Sequence, residues 1–172
     1  MADILTVYFS MKGQTITHDM RIVDLEKGNT AVAAEFIQQA VGGDLFEIEA
    51  DRNYSKDHMA LIEEAKQELK AKTRVPVKKY PDALEKYDTI FVGYPNWWGA
   101  MPMVLYTFLE HYDWSGKRII PFCTSEGSGI GNTAKEIQKI CKGAKVDSGL
   151  SLTGSRVRSS QAQIAEWAKG KL

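Results

Sequence analysis

The sequence predicts an α/β protein with a five-stranded parallel sheet of order 2-1-3-4-5 and helices on both faces, a three-layer sandwich. Three observations predict it. Short β-rich runs alternate with helix-period stretches along all 172 residues, the pattern of parallel strands joined by crossover helices. The stretch Thr89-Ile90-Phe91-Val92-Gly93-Tyr94 is a nearly unbroken apolar run, as expected of a central strand buried on both faces. Three predicted strands end in loops of unusual chemistry, and open α/β sheets place their ligands at such carboxyl ends. Right-handed crossovers then leave few topologies.

Taken in order, Ile4 to Phe9 reads as the first strand, ended by Ser10. Met11 to Lys27 is mixed, polar and aperiodic, with a short extended piece expected at Arg21-Ile22-Val23. A helix is expected over Ala31–Val41, with Asn29 or Thr30 as N-cap and Gly42-Gly43 as the stop. Asp44 to Glu49 alternates as a second strand. The next helix, about His58 to Lys72, carries Glu63, Glu64, Lys66, Glu68 and Lys70 on an expected solvated face. The central strand breaks at Pro95, and Pro102 opens a helix reaching about His111, where its missing N–H is harmless. Arg118 to Cys123 is a fourth strand, followed by a helix from about Asn132 to Cys141. Lys145 to Leu152 has the weaker alternation of an edge strand, and Gln161 to Lys169 is a terminal helix capped by Ser159 or Ser160.

Length fits one domain, residues 1–172, with a core that buries roughly 70% of the unfolded surface. Lys plus Arg is 22 and Asp plus Glu is 22. A chain so balanced has no basic field for nucleic acid and no acidic one for a cationic partner. Cys123 and Cys141 form neither a metal-ligand spacing nor a disulfide framework, and read as reduced thiols. Met1-Ala2-Asp3 lacks a basic n-region, and no apolar run approaches the ~20 residues of a membrane helix. A cytoplasmic protein without membrane or nucleic-acid partners, monomeric or weakly dimeric, is expected.

The loops after strands one, three and four meet around the switch point of a 2-1-3-4-5 sheet. The first offers Ser10, then Asn29 and Thr30 at a helix N-terminus, where free N–H groups and the helix dipole receive a phosphate. The second carries Trp97 and Trp98, a flat apolar wall with few polar demands. A lone Trp is more often core, but adjacent loop residues point in different directions, so one indole is expected at the site. The third loop, Thr124 to Gly131, is rich in Gly and hydroxyls and lets backbone groups approach a flat heterocycle. Together they describe a site for a phosphorylated planar cofactor.

Tyr8-Phe9-Ser10 with Gly28-Asn29-Thr30, then Gly93-Tyr94-Pro95-Asn96-Trp97-Trp98-Gly99, then Thr124-Ser125-Glu126-Gly127-Ser128-Gly129, resemble the flavodoxin family in order and over the whole chain. The resemblance implies a flavodoxin-like fold, bound FMN and redox chemistry at the flavin. It places the phosphate at Ser10, Asn29, Thr30 and Ala31. The isoalloxazine then lies between the loop holding Pro95, Asn96, Trp97, Trp98 and Gly99 and the loop holding Thr124, Ser125, Glu126, Gly127 and Gly129. No side chain is required as catalytic acid or base.

The sequence departs from the family in two places. Met11 to Lys27 separates Ser10 from Gly28-Asn29-Thr30, either as an excursion that leaves the phosphate nest intact or as a piece that covers the cofactor. Within it Lys12-Gly13-Gln14-Thr15 is a rival phosphate loop that no helical pattern follows, with Lys12 as a charged supplement to the helix end. Ala100 stands where an acidic residue often lies beside the flavin, and the chain as a whole is neutral.

Other motifs have plainer readings. Gly129-Ile130-Gly131-Asn132-Thr133-Ala134 matches G-x-G-x-x-A, but it follows the fourth strand and no acidic residue ends the next one. Cys123 is a small core hydrophobe. His18, His58 and His111 are scattered, and Arg156, Arg158 and Lys169 are surface residues, the arginine pair able to attract a phosphorylated donor. The expected function is electron transfer through FMN between redox partner proteins. The alternative is an NAD(P)H-dependent quinone or azo reductase acting on small quinone-like acceptors.

Overall fold

The computed structural model describes residues 3–17 and 19–172; His18 lies outside them. The strands are β1 (Ile4–Tyr8), β2 (Gly13–Ile16), β3 (Ile22–Leu25), β4 (Asp44–Glu47), β5 (Thr89–Pro95), β6 (Arg118–Ser125), β7 (Lys145–Val146) and β8 (Leu150–Thr153). The helices are α1 (Asn29–Val41), α2 (His58–Ala71), α3 (Met103–Glu110), α4 (Thr133–Ile140) and α5 (Gln161–Lys169). The main sheet runs β4-β1-β5-β6-β7, with β8 also on β6, and all its pairings are parallel. In order of the expected strands this is 2-1-3-4-5.

The period of two along β1 and β5 builds two cores. Leu5, Val7 and Phe9 join Ile90, Val92 and Tyr94 on one face, covered by Val104, Leu105 and Phe108 of α3 and Ile137 of α4. Ile4, Tyr8 and Phe91 join Ile120 and Phe122 on the other, under Ala33, Ala34 and Ile37 of α1 and Ile164 and Ala168 of α5. Side chains alternate across a strand, so a strand apolar at every position needs a helix layer on each side.

The expected single edge strand is broken in two. Ile119 pairs with Val146, whereas Phe122 pairs with Leu150. Two residues of β6 therefore face three of the edge, a bulge. It lies opposite Pro121, which has no N–H for the ladder. Gly149 sits there at φ +84°, and a Cβ on it would stand 2.6 Å from the Pro121 carbonyl oxygen.

Three further expectations are corrected. The segment after β1 is an antiparallel hairpin, β2–β3, with Gly13 opposite Leu25 and Ile16 opposite Ile22; its strands are too short and polar for a periodic signal. Gly28 rather than Asn29 or Thr30 precedes α1, because a Cβ there would overlap the Ser10 hydroxyl and the Met11 carbonyl. The charged face of α2 is not wholly solvated. Glu68 is buried, accepting from Tyr54 Oη at 2.6 Å and Arg52 Nη1 at 3.3 Å. Glu64 takes Arg52 Nη2 and the Ser55 N–H. The loop after β4 folds back on the helix, which helical periodicity cannot reveal. Burial and the Glu68 carboxylate together push the Tyr54 hydroxyl far above its ordinary pKa.

The Phe122 ring lies over Gly93, its ladder partner on β5, and a Cβ there would enter the ring. Gly93→Ala is expected to destabilise the fold by about 1–3 kcal/mol through overpacking. Urea unfolding, read as a lower midpoint at unchanged slope, checks this.

Candidate functional site

A cleft of about 440 Å³ opens at the carboxyl ends of β1, β5 and β6. Its inner end is the start of α1. The Ser10 Oγ accepts the Ala31 N–H at 3.1 Å, which ties the end of β1 to the first turn of the helix. The Thr30 Oγ1 bonds the Thr124 Oγ1 at 2.8 Å, both buried, which ties the helix to the end of β6. Asn29 and Thr30 line the cleft. Among the described residues their backbone N–H groups meet no protein acceptor, as the first amides of a helix do not. Ala31 stands behind them without lining the cleft, and Lys12 is exposed and outside it. The rival loop Lys12-Gly13-Gln14-Thr15 is largely strand β2 and opens no helix.

One wall is a tight turn. The Trp97 N–H donates to the Ala100 carbonyl at 2.9 Å, and the Ala100 N–H donates back at 3.1 Å. Trp98 and Gly99 between them have φ of +58° and +79°, the signs of a type I′ turn. A bulky residue at positive φ is an outlier that surrounding structure must impose. Here the Trp98 Nε1 donates to the Ile62 carbonyl of α2 at 2.8 Å. Trp97 points inward, edge-on to Phe9 and Tyr54 with centroids 5.5 and 5.2 Å away. Trp98 is half exposed, and both indoles line the cleft. Asn96 stitches this turn to the third loop. Its N–H donates to the Thr124 carbonyl at 2.9 Å, its Nδ2 to the Gly129 carbonyl at 2.8 Å, and its Oδ1 accepts the Gly99 N–H at 2.9 Å.

Thr124, Ser125, Glu126 and Ser128 line the opposite side with Pro95 and Asn96 at the floor. Gly127 and Gly129 shape the loop from outside the lining, both at positive φ. The Gly129 N–H is taken by Ser125 Oγ at 2.9 Å and the Ile130 N–H by Ser151 Oγ at 2.8 Å. The Thr133 hydroxyl donates to the Ile130 carbonyl at 2.6 Å. In the G-x-G-x-x-A run the Gly129, Ile130 and Thr133 amides are thus spent within the protein.

The outer wall joins the first-loop segment, for which covering the cofactor was one of two expected roles, to α2, for which no role at the site was expected. Gln14, Thr15, Ile16 and Leu25 of the hairpin line the cleft, with His58, Leu61, Ile62 and Ala65 of α2. The hairpin and helix are clamped together. The Gln14 N–H donates to the Lys56 carbonyl at 2.9 Å, and its Oε1 accepts the His58 N–H at 3.1 Å. Met11 and Gly154 complete the lining. Only the position of the segment between the first two elements hinted at a covering role; no local pattern marked these residues.

A family model described as Flavodoxin matches residues 3–170. The chain belongs to the flavodoxin family. No curated protein matches it. A protein assigned as a flavoprotein from Bacteroides uniformis is 30% identical, with a TM-score of 0.76 and 98% of each chain covered. One from Bacteroides eggerthii is 30% identical, with a TM-score of 0.69, covering 96% of this chain and 99% of its own. A flavoprotein in complex with FMN from Lactobacillus acidophilus shares the fold at 18% identity and a TM-score of 0.65, with 92% of this chain and 98% of its own covered. In this flavodoxin fold the cleft lies at the carboxyl ends of the strands, where open α/β sheets place their ligands. Among the described residues, no helix is long and apolar enough to cross a membrane.

Both thiols of this family member are core. Burial pushes Cys123 and Cys141 up to about 12, so the reactive thiolate is suppressed at all lower pH. At about pH 8 a disulfide reagent is expected to label neither in the folded protein and both in denaturant. Rapid labelling of folded protein at Cys123 would instead mark a thiol open to the cleft.

Proposed function

We propose that the protein binds FMN without a covalent link and carries electrons through it between redox partners. The observation that carries this reading is the convergence of two features in one cleft. The amides of Asn29 and Thr30 are left over at the start of α1, and the indoles of Trp97 and Trp98 line the same space. The fit is chemical. Unpaired amides and a positive helix end suit a phosphate. Aromatic edges and faces suit a planar heterocycle. The cleft volume lies in the range of small-molecule pockets. FMN complexes of the Lactobacillus acidophilus flavoprotein and the Fusobacterium nucleatum flavodoxin support the choice of flavin.

When bound, FMN supplies the redox chemistry, and the protein supplies binding, orientation and access. Ser10, Asn29 and Thr30 would hold the phosphate end, mostly through the Asn29 and Thr30 amides, because the Thr30 hydroxyl already pairs with Thr124 and the Ala31 N–H with Ser10. Trp97, fixed edge-on by Phe9 and Tyr54, offers a rigid wall. The hairpin and α2 would cover the outer side.

A second reading, an NAD(P)H-dependent quinone or azo reductase, is favoured by the even charge balance, since a protein shuttle gains on-rate from a charged face. Anaerobic mixing of the FMN-loaded protein with NADPH and with NADH tests both. The shuttle reading expects slow direct bleaching of the flavin, and fast bleaching selects the reductase. Trp97→Ala and Trp98→Ala are each expected to weaken FMN, by on the order of 1 kcal/mol where an aromatic contact is lost. Unchanged affinity in both variants, by fluorescence titration, would remove the indole wall from the site.

A further inference from the structure

The turn Gly154–Ser159 returns from the far edge of the sheet to the start of α1. Gly154 lines the cleft, and a Cβ on it would stand 2.5 Å from Asn29 Nδ2. At the other end of the turn, Arg158 Nη1 donates to Asn29 Oδ1 at 2.7 Å and Nη2 donates to the Lys27 carbonyl at 2.7 Å. A guanidinium, itself exposed and just outside the cleft lining, is thereby held beside a helix start whose Asn29 and Thr30 amides lack protein acceptors. A cation there is unfavourable toward the helix dipole unless an anion joins it. The guanidinium has five donors, and these bonds leave some of its fork over.

We propose that Arg158 makes the cleft selective for the charge of the cofactor's phosphate. It favours a phosphate-bearing flavin over one ending in a hydroxyl, and the phosphate dianion over the monoanion. The proposal rests on the FMN reading above. Two other charged groups at this end are already engaged. Lys27 pairs with Glu35 at 2.7 Å. Glu126 accepts from the Ser155 N–H at 2.6 Å and Ser155 Oγ at 2.9 Å. Arg156 lies on the same turn and is exposed, as is Lys12 after β1. Glu126 lines the cleft and opposes a bound dianion, and Arg158, the cation bonded to the cleft-lining Asn29, offsets it.

A phosphate monoester loses its second proton near pH ~6. A cation beside the bound phosphate lowers that value, so FMN affinity should rise with pH through this window, while riboflavin affinity stays flat. Salt should weaken FMN and spare riboflavin. The experiment titrates the apoprotein, its Arg158→Gln variant and its Arg158→Lys variant with FMN and riboflavin across pH and ionic strength. Arg158→Gln is expected to weaken FMN roughly three- to ten-fold, as loss of a charge-assisted contact does. It should leave riboflavin unchanged and flatten the pH and salt dependence. Arg158→Lys should keep the salt dependence, which separates charge from the positioning of Asn29.

If the parent protein prefers FMN but Arg158→Gln leaves that preference and its salt slope intact, the inference is overturned and the FMN reading stands. If the parent protein binds both flavins equally, the phosphate site and this inference fail together. Should thermal melting show that Arg158→Gln misfolds, phosphorus NMR of FMN on the parent protein decides. A bound phosphate that ionises below free FMN supports the proposal, and one that ionises at or above free FMN overturns it.

Discussion

The hydrogen bond from the Ala31 N–H to Ser10 Oγ sets how close the end of β1 comes to the start of α1. Gly28 permits it, because any side chain there would collide with Ser10 and the Met11 carbonyl. With the helix start pinned, Thr30 reaches Thr124 and fixes β6 relative to α1. These buried hydroxyl contacts do two things at once. They satisfy polar groups that would be costly to leave unpaired. They also spend side-chain donors, leaving the Asn29 and Thr30 amides as the groups facing the cleft.

The Trp turn depends on a similar economy of bonds. Asn96 uses its backbone and both ends of its side chain to join the Thr124 carbonyl of β6, the Gly99 amide and the Gly129 carbonyl. That leaves Trp98 in a left-handed conformation at the rim, where its indole N–H bonds the backbone of α2. The α2 helix is in turn held by Gln14 from the hairpin. An insertion in the first loop thus becomes a wall of the site, held by the two hydrogen bonds of Gln14 to Lys56 and His58. Its location lets it cover the cleft without disturbing the sheet, since it pairs only with itself.

Beside the cleft, Arg52, Tyr54, Glu64 and Glu68 form a polar knot between the loop after β4 and α2. Arg52 also lies over the Tyr54 ring at 4.0 Å, and Tyr54 meets Trp97 edge-on. The placement of the inner indole is therefore coupled to a partly buried ion pair. Removing one partner of such a pair leaves the other uncompensated, which costs more than the pair contributes.

By itself the sequence determined the layers, the strand order and the three loops that meet. The reason is physical: period-two apolar runs such as Leu5-Val7-Phe9 and Ile90-Val92-Tyr94 encode faces locally, and proline and glycine mark where elements stop. Ser10, Asn29, Thr30, Pro95 to Gly99 and Thr124 to Glu126 were legible because strand ends in this topology are adjacent. Tertiary structure alone decided the rest. Gln14, Ile16, His58 and Ile62 become cleft walls only when the hairpin and α2 pack together across the cleft, and polar strands of four residues leave no periodic trace. Glu68 looked like one more solvated charge until Arg52 and Tyr54 folded over it. Arg158 reaches Asn29 across 129 residues of sequence, a distance over which only the closed fold brings a cation to the start of a helix.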